Sequence, residues 1–213
     1  MNEKLISVII PYYEANNTIN RCLRSLASQS ISKEKFVVII VDDGSKNSLK
    51  NNLQEYDFDI KSFYHDSNKG LPAALNTALY NISTRYFVRL DADDYVHANF
   101  LEILLLKFEL DPETFAVSVD YKLVDELENT ISVQSSSEYP IGCGIAFRTE
   151  ILRNIGYYNE KMLMAEEIEY RKRAETIGKI SRIALPLYKY VKHLSNMTND
   201  DKNYDRYKKK IPE

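Results

Sequence analysis

The amino-acid sequence predicts an α/β fold: a Rossmann-like, mostly parallel sheet flanked by helices, with a smaller C-terminal region. Three observations support this prediction. Short, unbroken apolar runs at residues 5–11, 36–43 and 86–94 are typical of strands buried on both faces. Segments with helical periodicity alternate with these runs. Two of the runs end in acidic residues, and open sheets of this kind bind ligands at the carboxyl ends of their strands.

Helices are expected after the first two strands. Asn17 can cap a helix with one apolar face, because an Asn side chain satisfies free backbone N–H groups at a helix start. Ser45 can cap a second helix that runs through Leu49 and Leu53. The apolar face of the first helix consists of Ile19, Cys22, Leu23 and Leu26.

The alternation of strands and helices continues to the middle of the chain. A weaker strand at residues 60–65 precedes a helix at residues 71–80, with Pro72 in its first turn, where proline is tolerated. An apolar helix at residues 100–111 is followed by a strand at residues 114–124. We therefore expect a sheet that is covered by helices on both faces.

The second half of the chain departs from this rhythm. A strand interrupted by glycines is expected at residues 139–148, and a helix closed by Gly178 at residues 165–178. A late strand is expected at residues 185–193. The last residues, 199–213, form a polar tail rich in lysine and tyrosine.

Composition and charge exclude several classes of function. The chain has 213 residues, 44% of them hydrophobic, and a net charge of −3, so it lacks the basic footprint of a nucleic-acid-binding protein. No apolar stretch approaches the roughly 20 residues needed to cross a bilayer. Cys22 and Cys143 lie far apart in sequence, which favours reduced thiols and a cytoplasmic location. The basic segment 204–210 offers a peripheral contact with anionic lipid at the inner face of the membrane, whereas a solvated terminus is the simpler interpretation.

Three carboxylates lie within four positions at the end of the third apolar run: Asp91, Asp93 and Asp94. Carboxylates this close repel one another and destabilise the fold unless a positive charge lies among them. In an extended chain Asp91 and Asp93 point to the same side, where paired carboxylates suit Mg²⁺ or Mn²⁺. Asp94 points the other way, and we interpret it as part of a turn or as an N-cap of the following helix.

Several segments follow one another in a specific order and spacing, namely SVIIPYYEANNTINRCLRSLASQ, VIIVDDGSKNS, NKGLPAALNTAL, YFVRLDADDYV and GCGIAFR. Each segment alone is a weak signal, but their order is strong evidence. The chain resembles glycosyltransferase family 2 from Ser7 to about Thr198. The resemblance implies a GT-A fold and an inverting enzyme that uses a nucleotide-sugar donor.

The resemblance implies roles for residues on the donor side. Pro11 and Tyr13 match the turn that borders the nucleotide base, and Asp43 matches the carboxylate that reads the base edge. That role suits uracil, because a carboxylate can accept the imide N–H. Glu14 stands where the family often has Asn, and Lys69 is either a phosphate contact or a solvated surface lysine. The implied donor-binding residues are Pro11, Tyr13, Glu14, Asp43, Asn68, Lys69, Gly70, Asp91 and Ala92.

The same resemblance implies a divalent cation. Asp91-Ala92-Asp93 matches the DXD motif of the family, which implies bound Mn²⁺ or Mg²⁺ with Asp93 as the stronger candidate ligand. His193 matches a late histidine that meets the metal or the diphosphate in several relatives, and a structural role for it is equally compatible. The implied metal ligands are therefore Asp91, Asp93 and His193.

The general base is expected at the start of the helix at residues 165–178. Glu166 and Glu167 match the Glu-Asp pair of the family. Helical periodicity places Glu167 on the apolar side and Glu166 on the polar side, where Arg173 or Lys172 can pair with it. We therefore predict Glu167 as the catalytic base, because burial raises the pKa of a carboxylate. The acceptor side is expected to comprise Gly142, Cys143, Gly144 and Glu166.

We expect a non-processive enzyme, because a chain without Trp cannot contain the QxxRW motif of processive synthases. Its partners would be a nucleotide-diphosphate sugar, with UDP favoured, and a glycan or lipid-linked acceptor. Residues 1–124 would form the donor-binding half and residues 125–198 the acceptor-binding, catalytic half. Two alternatives stay open: a nucleotidyltransferase of similar topology, although the chain lacks a glycine-rich basic loop after the first strand, and a catalytically degenerate nucleotide-sugar-binding domain.

Overall fold

The computed structural model of the protein describes residues 3–51, 53–193, 209 and 211. Within these residues, nine strands form one sheet against which five α-helices pack. In chain order the strands are β1 (Ile6–Tyr12), β2 (Phe36–Asp42), β3 (Asp59–Tyr64), β4 (Tyr86–Arg89), β5 (Tyr95–Val96), β6 (Ala116–Val124), β7 (Thr130–Gln134), β8 (Ile145–Arg148) and β9 (Ser181–Val191). The helices are α1 (Ile19–Ala27), α2 (Leu71–Tyr80), α3 (Phe100–Leu110), α4 (Leu152–Ile155) and α5 (Glu166–Glu175).

The sheet orders its strands as β3-β2-β1-β4-β8-β6-β9-β5, and β7 pairs with β6. Strands β1 to β4 are parallel, and β6 and β9 run in the same direction, whereas β5, β7 and β8 are antiparallel to their neighbours. The sheet is therefore mostly parallel, as the sequence predicts. Because β1, β2 and β4 are adjacent and parallel, their carboxyl ends meet at one edge.

Apolar cores lie on both faces of the sheet. One face packs α1 and α3 against alternate strand side chains such as Val8 and Val38, and the other packs α2, α4 and α5 against Ile9 and Ile39. All four residues predicted for the apolar face of α1 are fully buried. Burying an aliphatic side chain of this size contributes about 1.5–3 kcal/mol, so the two faces together stabilise the predicted three-layer arrangement.

The helix predicted at residues 71–80 is confirmed as α2, with Pro72 in its first turn. Two other element boundaries are corrected. The strand expected at residues 139–148 begins only at Ile145, after the glycines. The last helix ends at Glu175 rather than at Gly178, and Gly178 lies instead against the ring of Phe115, 3.0 Å from where its Cβ would be.

Both helix caps predicted in the first half are wrong. The N-cap of α1 is Thr18 rather than Asn17. No α-helix follows Ser45, where the described chain forms a short 3₁₀ turn at Leu49–Asn51. The cause is Asp42, whose carboxylate accepts hydrogen bonds from the backbone N–H groups of Ser45 and Leu49, both at 3.0 Å. These contacts hold the segment as a loop against β2.

No helix among the described residues is both long and apolar enough to cross a membrane. The predicted lipid contact of segment 204–210 lies outside the described residues, apart from Lys209. The polar tail predicted at residues 199–213 is likewise described only at residues 209 and 211.

Candidate active site

Asp43 organises the loop that follows β3. Its buried carboxylate accepts hydrogen bonds from the backbone N–H groups of Lys69 (2.9 Å) and Gly70 (2.8 Å). Nδ1 of His65 lies 2.6 Å from the same carboxylate, and Nε2 lies 2.9 Å from the hydroxyl of Thr77. The structure therefore brings the predicted base-reading residue and the predicted donor loop together.

The loop that carries Asn68 and Lys69 exposes both side chains. Oδ1 of Asn68 accepts the backbone N–H of Gly70 at 3.1 Å. Gly44, in the turn after β2, packs closely against this loop, because a Cβ there would lie 2.3 Å from the carbonyl carbon of Ser67. Gly44 also has a φ of 75°, so glycine is needed where the two loops meet.

The turn after β1 lies at the same edge of the sheet. Pro11 is half-buried, and the side chain of Tyr13 is 50% exposed. Glu14 has a φ of 51°, a left-handed conformation that favours Asn over most residues. Its carboxylate accepts the backbone N–H of Lys46 at 2.7 Å. Glu14 thus links this turn to the loop after β2, although the family often has Asn here.

Arg89, the last residue of β4, holds Asp91. Nε donates to Oδ1 of Asp91 at 2.6 Å and Nη2 donates to Oδ2 at 3.0 Å, while Nη1 donates to Glu166 at 3.1 Å. Burial lowers the pKa of Arg89, but the two carboxylates outweigh burial and raise the pKa well above its usual value. Arg89 is therefore charged, and it engages both carboxylate oxygens of Asp91.

Asp93 faces His193, with 2.7 Å between Oδ2 and Nε2. Both side chains are partly exposed, at 32% and 17%. Burial raises the pKa of Asp93 and the neighbouring Asp91 adds to the increase, whereas the hydrogen bond with His193 opposes it. The backbone carbonyl of Asp93 accepts a hydrogen bond from Arg21 at 2.8 Å, which fixes this turn to α1. Two of the predicted metal ligands are thus adjacent.

The turn predicted at Asp94 is confirmed, because its backbone N–H donates to the carbonyl of Asp91 at 3.1 Å, but the predicted helix cap is wrong. Asp94 is 1% exposed, and β5 rather than a helix follows it. Its carboxylate accepts hydrogen bonds from the hydroxyl of Tyr188 (2.6 Å) and the backbone N–H of Val191 (2.8 Å). Burial raises the pKa of Asp94 well above its usual value, and Asp93 and Asp91 add to the increase. Asp94 therefore anchors residues 91–94, which we call the acidic loop, to β9. Ala92 in the same loop is also buried and packs in the core.

The segment 142–144 runs between the acidic loop and α5. The thiol of Cys143 lies 3.8 Å from Oδ2 of Asp94, and the backbone N–H of Gly144 donates to the carbonyl of Arg89 at 3.0 Å. A Cβ on Gly142 would lie 2.5 Å from Cβ of Glu167 and 3.0 Å from Nη1 of Arg89. The predicted acceptor-side segment therefore contacts both the acidic loop and the predicted base.

The predicted orientation of α5 is wrong. Glu166 is 3% exposed and shares the buried face with Tyr170 and Ala174, whereas Glu167 is half-buried. Arg173 pairs with Glu169 at 2.7 Å, not with Glu166. The periodicity failed because it counts apolar side chains alone, whereas Glu166 is buried by its ion pair with the buried Arg89 at 3.1 Å. The resemblance still assigns the base to Glu167, and this assignment stays a prediction.

The sequence is similar to that of known proteins. The sequence model of Glycosyl transferase family 2 matches residues 7–167. The chain belongs to this family. This family member is 29% identical over 189 residues to the teichoic acid poly(glycerol phosphate) polymerase of Staphylococcus epidermidis, covering 78% of this chain and 26% of the polymerase. It is 32% identical over 130 residues to the chondroitin synthase of Escherichia coli, covering 60% of this chain and 19% of the synthase. The chain thus spans a minor part of these relatives.

Solved structures confirm the GT-A fold of this glycosyltransferase. The S. aureus TarS fragment 1-349 in complex with UDP-GlcNAc matches with a TM-score of 0.84 at 21% identity, covering 97% of this chain and 65% of that chain. The mannosyltransferase PcManGT from Pyrobaculum calidifontis in complex with GDP-Man and Mn²⁺ matches with a TM-score of 0.71 at 20% identity, covering 92% of this chain and 59% of that chain. At these identities the likeness shows the fold.

The stability of this family member is expected to depend on pH through Glu166. Burial raises the pKa of Glu166 from 4.5 to about 7, and Glu167 adds to the increase while Arg89 opposes it. A raised carboxyl pKa gives stability that is complete below the unfolded value and is lost as the pH rises through the folded value. Glutamine cannot ionise, so Glu166→Gln should gain roughly 3 °C in Tm over wild type per pH unit between about pH 5 and pH 7. Thermal melts of wild type and Glu166→Gln across this range measure the difference in Tm, with Glu175→Gln on the exposed end of α5 as the control. If Tm changed with pH equally in wild type and in Glu166→Gln, the prediction would be wrong.

Arg89, Tyr188 and His65 are site residues to which the sequence reasoning gave no role. The position of Arg89 inside a buried apolar run indicates a nearby carboxylate partner, because a buried charge is unfavourable without one. His65 was noted only as the end of a strand. Tyr188 carried no signal, because its position beside Asp94 depends on how β9 enters the sheet.

A surface cavity of about 470 Å³ lies apart from this site, and no predicted site residue lines it. Two of its cations already have carboxylate partners: Lys107 pairs with Asp111 at 3.1 Å and Arg182 with Asp120 at 2.6 Å. We therefore assign it no role. Its lining residues are Lys107, Ser137, Lys179, Ile180, Ser181, Arg182 and Ala184.

Proposed function

We propose that this glycosyltransferase moves a sugar from a nucleotide-diphosphate donor to a hydroxyl of a glycan or lipid-linked acceptor, with inversion and one sugar per encounter. One observation carries the proposal: segment 142–144 contacts the acidic loop through Cys143 and Asp94, and contacts Glu167 through Gly142. The predicted base and the predicted diphosphate site thus meet at one edge of the sheet.

A uridine nucleotide fits the donor side best. Oδ2 of Asp43 accepts a hydrogen bond from Gly70, and a carboxylate oxygen has capacity for a second donor such as the imide N–H of uracil. The side chains of Tyr13 and Lys69 are both exposed at this edge of the sheet, and a lysine ammonium can pair with phosphate oxygens. The UDP-GlcNAc bound by TarS supports a nucleotide-sugar donor, and the GDP-Man bound by PcManGT makes guanosine the competing base.

The residues present fit a divalent cation at Asp93 and His193. Their side chains approach within 2.7 Å and are partly exposed. Burial raises the pKa of Asp93, and the neighbouring Asp91 adds to the increase by a repulsion that a cation would relieve. Asp91 is the weaker ligand, because Arg89 occupies both of its oxygens. Bound Mn²⁺ or Mg²⁺ supplies positive charge that stabilises the departing diphosphate.

A second group of potential ligands, Asp91, Asp94 and Cys143, has side-chain atoms within 4.8 Å of one another. It fits Mn²⁺ or Mg²⁺ poorly. Asp94 is committed to Tyr188, and burial raises the pKa of the Cys143 thiol well above its usual value, with Asp91 and Asp94 adding to the increase. A protonated thiol is not a metal ligand, and hard cations prefer oxygen.

In the proposed reaction, Glu167 removes the proton of the acceptor hydroxyl as its oxygen bonds to the anomeric carbon of the donor sugar. The bond between that carbon and the diphosphate oxygen breaks in the same displacement, and the electron pair leaves with the diphosphate. One in-line displacement inverts the anomeric carbon. The buried, protonated Cys143 is unsuited to act as a nucleophile, which disfavours a two-step, retaining route.

The proposal divides the work between residues 1–124 for the donor and residues 125–198 for the acceptor and catalysis. His193 crosses this division, because it lies beside Asp93. A cytoplasmic location is part of the proposal and is supported by Cys22 and Cys143, which are both buried free thiols.

Calorimetric titration with UDP, GDP, dTDP and CDP, with and without Mn²⁺, tests this function. We expect manganese-dependent binding of UDP, followed by cleavage of a UDP-sugar in a panel of donors. Release of pyrophosphate from a nucleoside triphosphate would indicate a nucleotidyltransferase instead. A folded sample that binds a nucleotide but cleaves no donor, with a range of glycan and lipid-linked acceptors present, would indicate a degenerate binding domain.

A further inference from the structure

Arg89 joins the two sides of the site. It is 7% exposed, and its guanidinium makes three hydrogen bonds to two carboxylates. Two parallel bonds reach Asp91 at 2.6 and 3.0 Å, and the third reaches Glu166 at 3.1 Å. Arginine suits this position because its planar fork can bind one carboxylate with two donors and still offer a third donor elsewhere.

The start of α5 has no side-chain cap of its own. Its N-cap residue, Ala165, is left-handed with a φ of 59° and provides no side-chain cap. Three glutamates occupy the first turn: Glu166, Glu167 and Glu169. Glu166 is the buried member of the three and is the one that binds Arg89.

Packing reinforces the contact between Glu166 and Arg89. A Cβ on Gly142 would lie 2.5 Å from Cβ of Glu167 and 3.0 Å from Nη1 of Arg89, so the backbone of Gly142 contacts both. Glu167 therefore sits against a surface that Arg89 helps to form. A shift of Arg89 would therefore move Gly142, which lies against the predicted base Glu167, and would also move Glu166.

We propose that Arg89 is a positioning residue: by holding Asp91 and Glu166 at once, it sets the distance between the donor site and Glu167. This inference rests on the proposed function. Glu166 then serves as the anchor of the base rather than as the base itself. A general base must lie within hydrogen-bond reach of the acceptor hydroxyl, and a displacement of about 1 Å can cost about 100-fold in rate.

Substitutions of Glu166 separate positioning from catalysis. Glu166→Gln keeps an oxygen that can accept from Nη1 of Arg89, whereas Glu166→Met has a similar length and no acceptor. We expect Glu166→Met to lower kcat by about 100-fold with the donor KM within about twofold of wild type, and Glu166→Gln to restore most of that loss. Glu175→Gln, which breaks an exposed Arg–Glu pair with Arg171 on the same helix, is the matched control and should leave both constants unchanged.

Turnover is measured as cleavage of UDP-GlcNAc and GDP-mannose, and then of the remaining donor panel, with UDP affinity and Tm recorded for each variant. A kcat within about threefold of wild type in Glu166→Met overturns the inference. So does a Glu166→Gln variant that is as inactive as Glu166→Met, because the hydrogen bond to Arg89 would then not be what Glu166 supplies. If Glu167→Gln kept its turnover while Glu166→Gln lost it, Glu166 would be the base. Loss of turnover that is restored in Glu166→Gln supports it.

Arg89→Lys keeps the inference testable if Glu166→Met fails to fold. Lysine retains the charge but lacks the fork, so it cannot hold both carboxylates in this geometry. A comparable loss of kcat in a folded Arg89→Lys variant supports the inference, and near-normal kcat overturns it. A wild type that cleaves no donor would instead refute the proposed function, so the two failures are distinguishable.

Discussion

Replacing Glu167 with glutamine is expected to lower kcat for sugar transfer by about 10²–10⁴-fold, the usual contribution of a general base. Glutamine has almost the same shape but no basic oxygen, so it cannot take the proton of the acceptor hydroxyl. Glu167 contacts Gly142 on the predicted acceptor side and is half-buried, whereas the adjacent Glu166 is committed to Arg89. The affinity for the nucleotide with Mn²⁺ should stay within about twofold, because the role predicted for Glu167 concerns the acceptor and not the nucleotide.

Steady-state kinetics with the donor selected by the titration measures this loss, and Glu175→Gln again controls for a charge change on α5. Near-normal turnover in Glu167→Gln would remove Glu167 as the base. Since Glu166→Gln is assayed beside it, the pair of variants also decides which of the two adjacent glutamates carries the proton.

Replacing Asp93 with alanine is expected to weaken the manganese-dependent part of nucleotide binding by at least about tenfold. Asp93 and His193 approach within 2.7 Å and are both partly exposed, and the substitution removes the carboxylate of this pair. Asp91 cannot readily substitute, because Arg89 holds both of its oxygens. A divalent cation that loses one of its two best protein ligands should bind at least about tenfold more weakly.

Calorimetry of UDP with and without Mn²⁺ tests this expectation, with Asp57→Ala, an exposed residue before β3, as the matched control. The folded state of Asp93→Ala should be intact, because Asp94 rather than Asp93 makes the buried contacts to Tyr188 and Val191. If Mn²⁺ still strengthened UDP binding as much as in wild type, the cation site would lie elsewhere.

Local patterns predicted the framework well. The apolar runs of β1 and β2 and the apolar face of α1 depend on side chains only a few positions apart, so periodicity is sufficient to find them. The placement of Asp43 and of the acidic loop at one edge also followed from sequence, because parallel adjacent strands bring their carboxyl ends together.

Long-range partners decided what local patterns could not. Ser45 reads as a helix cap in sequence, yet Asp42 takes the backbone N–H groups of that segment. Asp94 reads as a cap too, but Tyr188 on β9 supplies its hydrogen bond from 94 positions away. Each outcome depends on which hydrogen-bond donor lies next to the carboxylate in the folded chain. Spacing along the sequence does not give the distance between the donor and the carboxylate.

Sequence patterns were sufficient to predict the family, the mostly parallel sheet and the acidic and glycine positions of the candidate site. The contacts of these residues with one another became visible only in the folded chain. The tertiary structure buried Glu166 against Arg89 and left Glu167 at Gly142, the reverse of what periodicity predicted. The physical reason is that a buried guanidinium, 77 positions earlier in the chain, offsets the cost of burying a carboxylate, and a periodicity count has no access to that partner.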